Sequence, residues 1–156
     1  MSAQTGETFL VSPLSALDHH EWSVLWKGYQ DFYEADLPQP VWDKTWTSIL
    51  NGAGPIYGLG LRRHADAPLI GITHFLFHAS AWSLTEACYL QDLFVSPKDR
   101  GDGAGRVLIE AVKSIALERQ CFRLYWTTKQ DNAKARILYD KLAVFHGFIR
   151  YDMALP

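Results

Sequence analysis

Residues 89–105 read YLQDLFVSPKDRGDGAG, a strand-like run that passes through a proline into a glycine-rich loop. Apolar residues then recur every three or four positions over residues 107–115, which predicts a helix. A glycine-rich loop between a strand and a helix presents backbone N–H groups at the positive end of the helix dipole, where phosphate oxygens bind. Gly103 and Gly105 would allow close approach of the backbone, and Arg100 would add a cation. The stretch therefore predicts an anion site, with an ordinary tight turn as the alternative.

The same loop lacks the features of a nucleotide site. No Gly-Lys-Ser/Thr follows the glycines, and no carboxylate lies at a strand end about 20 residues further on. These absences argue against an ATP-binding or dinucleotide-binding domain.

The composition is that of an ordinary globular chain. Of 156 residues, 48% are hydrophobic and 21% are charged, which predicts a single folded domain over residues 1–156. The net charge of −2 provides no basic field for a nucleic-acid backbone. No apolar run reaches the roughly 18 to 20 residues of a membrane helix, and the N-terminal residues lack the order of a signal peptide. We therefore expect a cytoplasmic protein that binds neither nucleic acid nor membrane.

The two cysteines, Cys88 and Cys121, each lie in an apolar stretch, with no CxxC or Cys/His ligand spacing around them. We expect buried free thiols and no metal site.

Periodicity and turn residues predict the elements on both sides of the loop. Strands are expected at residues 8–11, 56–61, 69–78, 88–95, 122–127 and 148–155. Helices are expected from about residue 18 to 33, at 41–50, after the glycine loop, and from Asn132 to about His146. Asp18 and Glu21 have the spacing of a capping pair at the start of the first helix. The predicted order is βααβββαβαβ.

Two motifs flank the helix that follows the loop. Before it, the strand L-x-D-L-F-V-x-P leads into Arg, two residues, Gly, one residue and Gly. After it, residues 126–128 read WTT and residues 132–142 read NAKARILYDKL, which contains N-x-x-A-x-x-L-Y-x-K. Together the motifs resemble those of the GNAT-type N-acetyltransferases, nearest the spermidine/spermine acetyltransferase branch. The resemblance covers residues 89–155, and the earlier predicted elements fit the family's order.

The resemblance implies a fold and a cofactor. The expected fold is α+β, an α/β/α sandwich whose mixed, mostly antiparallel twisted sheet carries helices on both faces. The expected cofactor is acetyl-CoA, with direct transfer of the acetyl group to an amine. The residues agree, because no Cys or Ser lies beside a His in a nucleophile motif. The fourth strand would splay from the fifth and leave backbone groups for the pantetheine arm, one of which would polarise the thioester carbonyl. The implied cofactor contacts are Leu93, Phe94, Val95, Arg100, Gly101, Asp102, Gly103, Ala104, Gly105, Asn132 and Tyr139.

Tyr139 is the catalytic residue that the resemblance implies, as the general acid that returns a proton to the CoA thiolate. A phenol with a pKa near 10 can protonate a thiolate, whose thiol has a pKa of about 8.5, only when the geometry is held. A tyrosine at helical spacing is also a common packing residue. Asn132 fits a helix N-cap as well as a cofactor contact.

Position 91 departs from the pattern of the polyamine-type enzymes, which carry a glutamate there as candidate base. Gln91 cannot accept a proton at neutral pH, which puts a polyamine substrate in doubt. Asp92 would point to the opposite face of a regular strand, so it is no simple substitute. The remaining candidates for the base, His74, His78 and Glu86, lie at positions that more often serve a surface or hairpin role, and the base stays open.

The first helix and the loop that follows it would line the acceptor site. The candidate substrate-binding residues are Trp26, Tyr29, Tyr33, Glu34 and Gln91, with ring faces and a carboxylate suited to a cationic amine. The alternative places the aromatic residues in the core and the acidic residues on the solvated face.

These observations predict an acetyl-CoA-dependent N-acetyltransferase acting on a primary amine of a small molecule or peptide. The alternative is a non-catalytic acyl-CoA-binding sensor or partner-binding module. Exposed aromatic residues and strand edges also favour a homodimer.

Overall fold

The computed structural model describes residues 9–156, so Thr8 of the first predicted strand lies outside the described residues. The described chain divides into two compact units, one ending at Trp126 and the other running from Thr127 to Pro156. The first unit contains β1 (Leu10–Pro13), α1 (His19–Phe32), α2 (Gln39–Asn51), β2 (Tyr57–Arg62), β3 (Gly71–His78), β4 (Ala87–Val95), α3 (Ala104–Glu118) and β5 (Arg123–Tyr125). The second unit contains α4 (Ala133–Leu142).

The strands form one five-stranded sheet in the order β1-β2-β3-β4-β5. Neighbours are antiparallel except β4 and β5, which are parallel. A parallel pair needs a crossover rather than a hairpin, and α3 provides it. The predicted mixed, mostly antiparallel sheet is confirmed.

The helices of the first unit cover both faces of this sheet. Trp22 of α1 is completely buried in a cluster that includes Ile49 from α2 and Phe94 from β4. Leu108 of α3 packs with Val95 of β4 in a second cluster. Because successive side chains of a strand point to opposite faces, Phe94 and Val95 mark the two sides of the sheet. The prediction of helices on both faces is confirmed for α1, α2 and α3.

The start of α1 differs from the prediction. The backbone N–H and the hydroxyl of Ser15 donate to Asp18 Oδ2 at 2.8 and 3.1 Å, and Asp18 also accepts from Arg62 of β2. Glu21 instead accepts from the backbone N–H of Leu69 at 2.9 Å. The capping pair is therefore Ser15 with Asp18, three residues earlier than predicted, and it caps the 3-10 turn Ala16–Asp18 that leads into α1.

The predicted strand at residues 148–155 is wrong for this chain, since residues 143–156 form neither helix nor strand. The last helix ends at Leu142 rather than near His146, and β5 covers fewer residues than the predicted 122–127. Alternating apolar residues form a strand only where a neighbouring backbone supplies hydrogen bonds. Residues 143–156 form no such ladder within the described chain.

Cys88 is buried and Cys121 is half-buried, and both are free thiols. The expectation of burial therefore holds for Cys88 only. Burial raises the pKa of the Cys88 thiol to about 12, which keeps it neutral and unreactive. Across residues 9–156, no helix has the length and apolar character needed to cross a membrane. Within the same residues, no group of His, Cys, Asp and Glu side chains could hold a metal ion.

Candidate active site

The glycine-rich loop enters α3 with its backbone open to solvent. Gly101 and Gly103 have φ angles of +101° and +88°, in the left-handed region that favours glycine. A Cβ at either position would meet no atom within 4 Å, so the space above the loop is free. Gly103 is the N-cap of α3, and Ala104 begins the helix as a buried residue, so the first N–H groups of α3 border that space.

Ion pairs and one hydrogen bond brace the loop. Arg63 lies 3.3 Å from Asp99 and 2.7 Å from Asp102, which offsets the negative charge of Asp102 beside a predicted phosphate site. Arg100 Nε donates to the carbonyl oxygen of Val95 at 2.9 Å, and its guanidinium lies 5.3 Å from the centre of the Phe94 ring. Arg63 was not found from the sequence, because no local pattern links it to a loop more than thirty residues later.

The outer edge of β4 is largely unpaired in the described sheet. Pairing with β5 is limited to Ala87–Tyr89, whereas β4 continues to Val95. Leu93 and Val95 pack toward α3, and Phe94 packs toward α1. The backbone edge beside these three residues therefore leads toward the glycine-rich loop. An open edge that ends at a loop of exposed N–H groups and a cation fits an extended pantetheine arm followed by a pyrophosphate.

A bulge interrupts β4 at Gln91. His74 of β3 pairs with Asp92, and the next residue, Phe75, pairs with Leu90, which leaves Gln91 as an extra and exposed residue. The Thr73 hydroxyl fixes the bulge by donating to the carbonyl oxygen of Asp92 at 2.8 Å. The assumption of a regular strand around Gln91 and Asp92 is therefore wrong.

Asp92 lies on the same sheet face as α1, at the end of a buried hydrogen-bond chain. Trp22 Nε1–H donates to His74 Nε2 at 2.9 Å, and His74 Nδ1 lies 3.0 Å from Asp92 Oδ2. Because an indole N–H only donates, His74 Nε2 must be an acceptor, and the imidazole proton sits on Nδ1 and points to Asp92. His74 is 1% exposed, so a surface or hairpin role for it is wrong.

His78 and Glu86, which the sequence also offers as bases, are engaged in contacts elsewhere. His78 lies 2.7 Å from the Tyr125 hydroxyl and 2.8 Å from the carbonyl oxygen of Ala79. Glu86 accepts from Arg119 at 3.1 Å. Both residues lie at the end of the sheet where β4 begins, away from its junction with the glycine-rich loop.

Three of the predicted acceptor residues form a row of rings along α1. Trp26 stacks on Tyr29 with 5.3 Å between ring centres, and Tyr29 lies 4.9 Å from Tyr33. Tyr29 also contacts Phe94 edge-on at 6.3 Å, so the row meets the predicted cofactor strand. Glu34 follows α1 as an exposed residue with a φ of +53°, outside this row.

Two buried donors on α1 have no hydrogen-bond partner among the described residues, Trp26 Nε1 and Gln30 Nε2. They lie one helical turn apart, on the face of α1 that is turned to the sheet.

A shallow cleft of about 360 Å³ lies between α1 and the end of β4. Gly28 and Phe32 line one side, and Phe94, Pro97 and Arg100 line the other. A Cβ on Gly28 would come within 2.9 Å of the Phe94 ring, so glycine permits the close approach of α1 to β4. The cleft extends from α1 to Arg100, the first residue of the predicted phosphate loop.

The second unit carries the two remaining predicted site residues. Asn132 occupies the N-cap position of α4, but its side chain donates to Thr128 Oγ1 at 3.0 Å instead of capping the helix. Tyr139 lies two turns into α4 and is half-buried.

A family model described as the acetyltransferase (GNAT) family matches residues 22–144. The chain belongs to the GNAT acetyltransferase family. The mixed sheet and its flanking helices are thus a GNAT fold.

Relatives support an enzymatic role for this GNAT protein. It is 32% identical over 137 residues to the D-amino-acid N-acetyltransferase HPA3 of Saccharomyces cerevisiae, covering 88% of this chain and 85% of the relative. It is 32% identical over 74 residues to the thialysine N-epsilon-acetyltransferase of Bos taurus, covering 47% and 43% of the two chains. A solved ribosomal-protein-alanine N-acetyltransferase from Brucella melitensis shares the fold, with a TM-score of 0.76, 22% identity, and coverage of 95% and 99%. This GNAT protein is an N-acetyltransferase.

Proposed function

We propose that this enzyme uses acetyl-CoA and transfers the acetyl group directly to the primary amine of a small molecule or peptide. The observation that carries the proposal is the open N-terminus of α3 beside the unpaired edge of β4. Few other ligands combine a diphosphate with a long, extended arm that needs backbone partners.

Acetyl-CoA supplies an acetyl thioester when it is bound. The N–H groups around Gly103, with Arg100, hold the diphosphate, because both carry positive charge in an open loop. Backbone groups at Leu93–Val95 on the edge that β5 leaves unpaired orient the pantetheine arm, with the exception of the Val95 carbonyl, which accepts from Arg100. One N–H there polarises the thioester carbonyl. Tyr139 delivers a proton to the thiolate, a role supported by its place in the N-x-x-A-x-x-L-Y-x-K motif. Asn132, in the same motif, contributes a cofactor contact.

The acceptor binds beside the rings of Tyr29 and Tyr33, with Glu34 and Gln91 at the margin of the site. Trp26, which the sequence also offers as an acceptor contact, is buried in the core and supports Tyr29 from behind. Free amino acids are the first class to test, because the names of two relatives specify amino-acid acceptors. A place near the polyamine-acetyltransferase branch stays a prediction. So do the cytoplasmic location and the homodimer.

The test is acetyl-CoA turnover, followed as release of free thiol, against polyamines, L- and D-amino acids, aminoglycosides and basic peptides. Binding of CoA is measured in parallel by calorimetry. Thiol release with one amine class supports the proposal and identifies the acceptor class. Tight CoA binding without release for any acceptor would instead support the binding module, and absence of CoA binding would contradict both.

We expect Tyr139→Phe to lower kcat about 100-fold or more, because it removes the proton donor but retains the ring. The affinity for CoA should stay within twofold of the wild-type value. Tyr151→Phe is the matched control, since it also removes a phenol hydroxyl and retains the ring, but at a position outside α4, and it should leave kcat unchanged. Equal kcat values for Tyr139→Phe and the wild type would remove Tyr139 from the mechanism.

A further inference from the structure

The carboxylate of Asp92 has no cationic partner among the described residues. Its Oδ2 atom accepts from His74, and no lysine or arginine among residues 9–156 lies within ion-pair distance of it. Its side chain is 16% exposed, whereas His74 behind it is 1% exposed. One face of the carboxylate is therefore fixed by the protein, and the other is accessible from outside.

The hydrogen-bond chain from Trp22 through His74 brings no positive charge to Asp92. His74 has one proton, on Nδ1, because Nε2 accepts from the Trp22 indole. A neutral imidazole orients the carboxylate by a hydrogen bond without neutralising it. A partly buried carboxylate with no counter-ion among residues 9–156 favours a cationic ligand.

The surroundings of this carboxylate also suit a cation. His74 packs edge-on against Trp26 with 4.8 Å between ring centres, and Trp26 begins the row of rings that continues to Tyr29. Trp26 is only 6% exposed and lies in the core, so within this row the half-buried Tyr29 and Tyr33 are the rings that can attract an ammonium group. The regular register of β3 and β4 places Asp92 opposite His74, on the same sheet face as Phe94, and the bulge begins only at Gln91.

We propose that Asp92 binds the ammonium group of the acceptor and accepts its first proton, with His74 and Trp22 as positioning residues. Asp92 thereby accepts the proton that the Gln91 amide cannot accept. The inference rests on the proposed function and deepens it, because it makes an ammonium group, rather than a hydroxyl or a neutral amide, the required feature of the acceptor.

The proton and electron balance is simple. The acceptor's ammonium gives one proton to Asp92 Oδ1, which later passes it to solvent. The freed nitrogen lone pair forms the C–N bond to the acetyl carbon while the C–S bond breaks and its electron pair stays on sulfur. The nitrogen loses a second proton as the amide forms, and a proton reaches the sulfur to give CoA thiol.

Two matched probes test the binding step without any turnover. We would titrate the CoA-saturated enzyme with 2-phenylethylamine and with 2-phenylethanol, which differ only in the ammonium and hydroxyl groups. The wild type should bind the amine about tenfold or more tightly than the alcohol, because a charge-assisted hydrogen bond forms only with the amine. Asp92→Asn should abolish this difference, and Asp66→Asn, in the exposed β2–β3 connection, should preserve it. A preference for the amine that survives in Asp92→Asn, or its absence in the wild type, would overturn the proposal.

Kinetics with the best acceptor separate this inference from the proposed function. Asp92→Asn should lower kcat/KM for the amine about 100-fold or more and leave the affinity for CoA unchanged. Normal turnover in Asp92→Asn would refute the role of Asp92 but leave the proposed function standing. Absence of thiol release in the wild type would refute the proposed function, and the two probes would still decide whether Asp92 binds an ammonium group.

The positioning role of His74 predicts a pattern that a purely structural role would not produce. His74→Asn retains an N–H near the position of Nδ1, and His74→Leu does not. We expect His74→Asn to keep most of the amine preference and His74→Leu to lose it, with circular dichroism reporting that both are folded. In the background of Asp92→Asn, His74→Leu should have no further effect on kcat/KM.

Discussion

At the scale of single residues, one part of the Arg100 guanidinium has a structural role, and the exposed remainder is placed to bind a ligand. Its Nε donates to the Val95 carbonyl, and the rest of the guanidinium is exposed at the mouth of the glycine-rich loop. Arg100→Ala should weaken CoA binding by about 10-fold or more, because a charge-assisted hydrogen bond to phosphate contributes about 1.5–3 kcal/mol. Calorimetry with CoA and with pantetheine checks this. Pantetheine lacks the diphosphate, so it should bind the wild type and Arg100→Ala equally well.

Lys113→Ala is the control for the general effect of charge. It removes an exposed cation from α3 that lies 3.6 Å from Glu110, and it should change CoA affinity less than twofold. If pantetheine lost as much affinity as CoA in Arg100→Ala, Arg100 would act through the shape of the loop and not through the diphosphate.

Residue roles could be predicted from the sequence where they depend on local pattern. The glycines of the loop, Arg100 and Tyr139 are set by motifs of a few residues, and the structure places the first of these in an open loop. The contact between His74 and Asp92 joins residues 18 positions apart in sequence and depends on the register of two strands. No count along one strand reveals a bulge, because a bulge is a mismatch between two strands.

At the scale of elements, Asp18 connects the start of α1 to β2. Burial alone would raise the pKa of Asp18, but hydrogen bonds from the Ser15 N–H and from Arg62 outweigh it, so the pKa lies below the ordinary value of 3.8. A lowered pKa means that the folded state favours the ionised form. The stabilisation is complete above the unfolded pKa and is lost as the pH falls through the folded value.

Asp18→Asn should therefore lower the free energy of unfolding by about 2 kcal/mol at pH 7. The difference in the free energy of unfolding between wild type and variant should be the same at pH 5 as at pH 7 and smaller at pH 3, because only the wild type loses this stabilisation in acid. Urea unfolding at the three pH values measures it. Asp43→Asn, an exposed aspartate of α2 bonded to Gln39, should shift stability by less than about 0.5 kcal/mol throughout. A gap as large at pH 3 as at pH 7 would show that the charge of Asp18 contributes nothing.

The elements themselves were predictable where hydrophobic periodicity and turn residues agree. The first two helices, the strands β2, β3 and β4, and the helix after the glycine loop lie close to their predicted positions. The fate of residues 148–155 was not predictable from the sequence. Alternation identifies a segment that could pair as a strand, but it does not show whether a partner strand is present.

At the scale of the whole molecule, the segment after α4 exposes more apolar surface than a monomer usually keeps. The side chains of Ile149, Tyr151, Met153 and Leu155 alternate along it and are 70–87% exposed. Their period of two is that of a strand with one face to be covered. The sheet offers a matching edge, because β5 is its last strand and pairs on one side only in the described sheet. If each of two copies paired its exposed segment with the β5 edge of the other, both surfaces would be covered at once.

We therefore expect the predicted homodimer to depend on this segment. Sedimentation of the wild type should give about twice the chain mass of 17.7 kDa, and Tyr151→Ser with Met153→Ser should raise the dimer dissociation constant about 100-fold or more. Trp82→Ser with Leu84→Ser is the matched control, because it removes two apolar side chains that are at least as exposed but lie in the β3–β4 connection. That pair should leave the dimer intact, since its loop lies outside the C-terminal segment. A wild-type protein that sediments as a monomer, or a dimer that both pairs of substitutions weaken equally, would show that the C-terminal segment is not what joins the two copies.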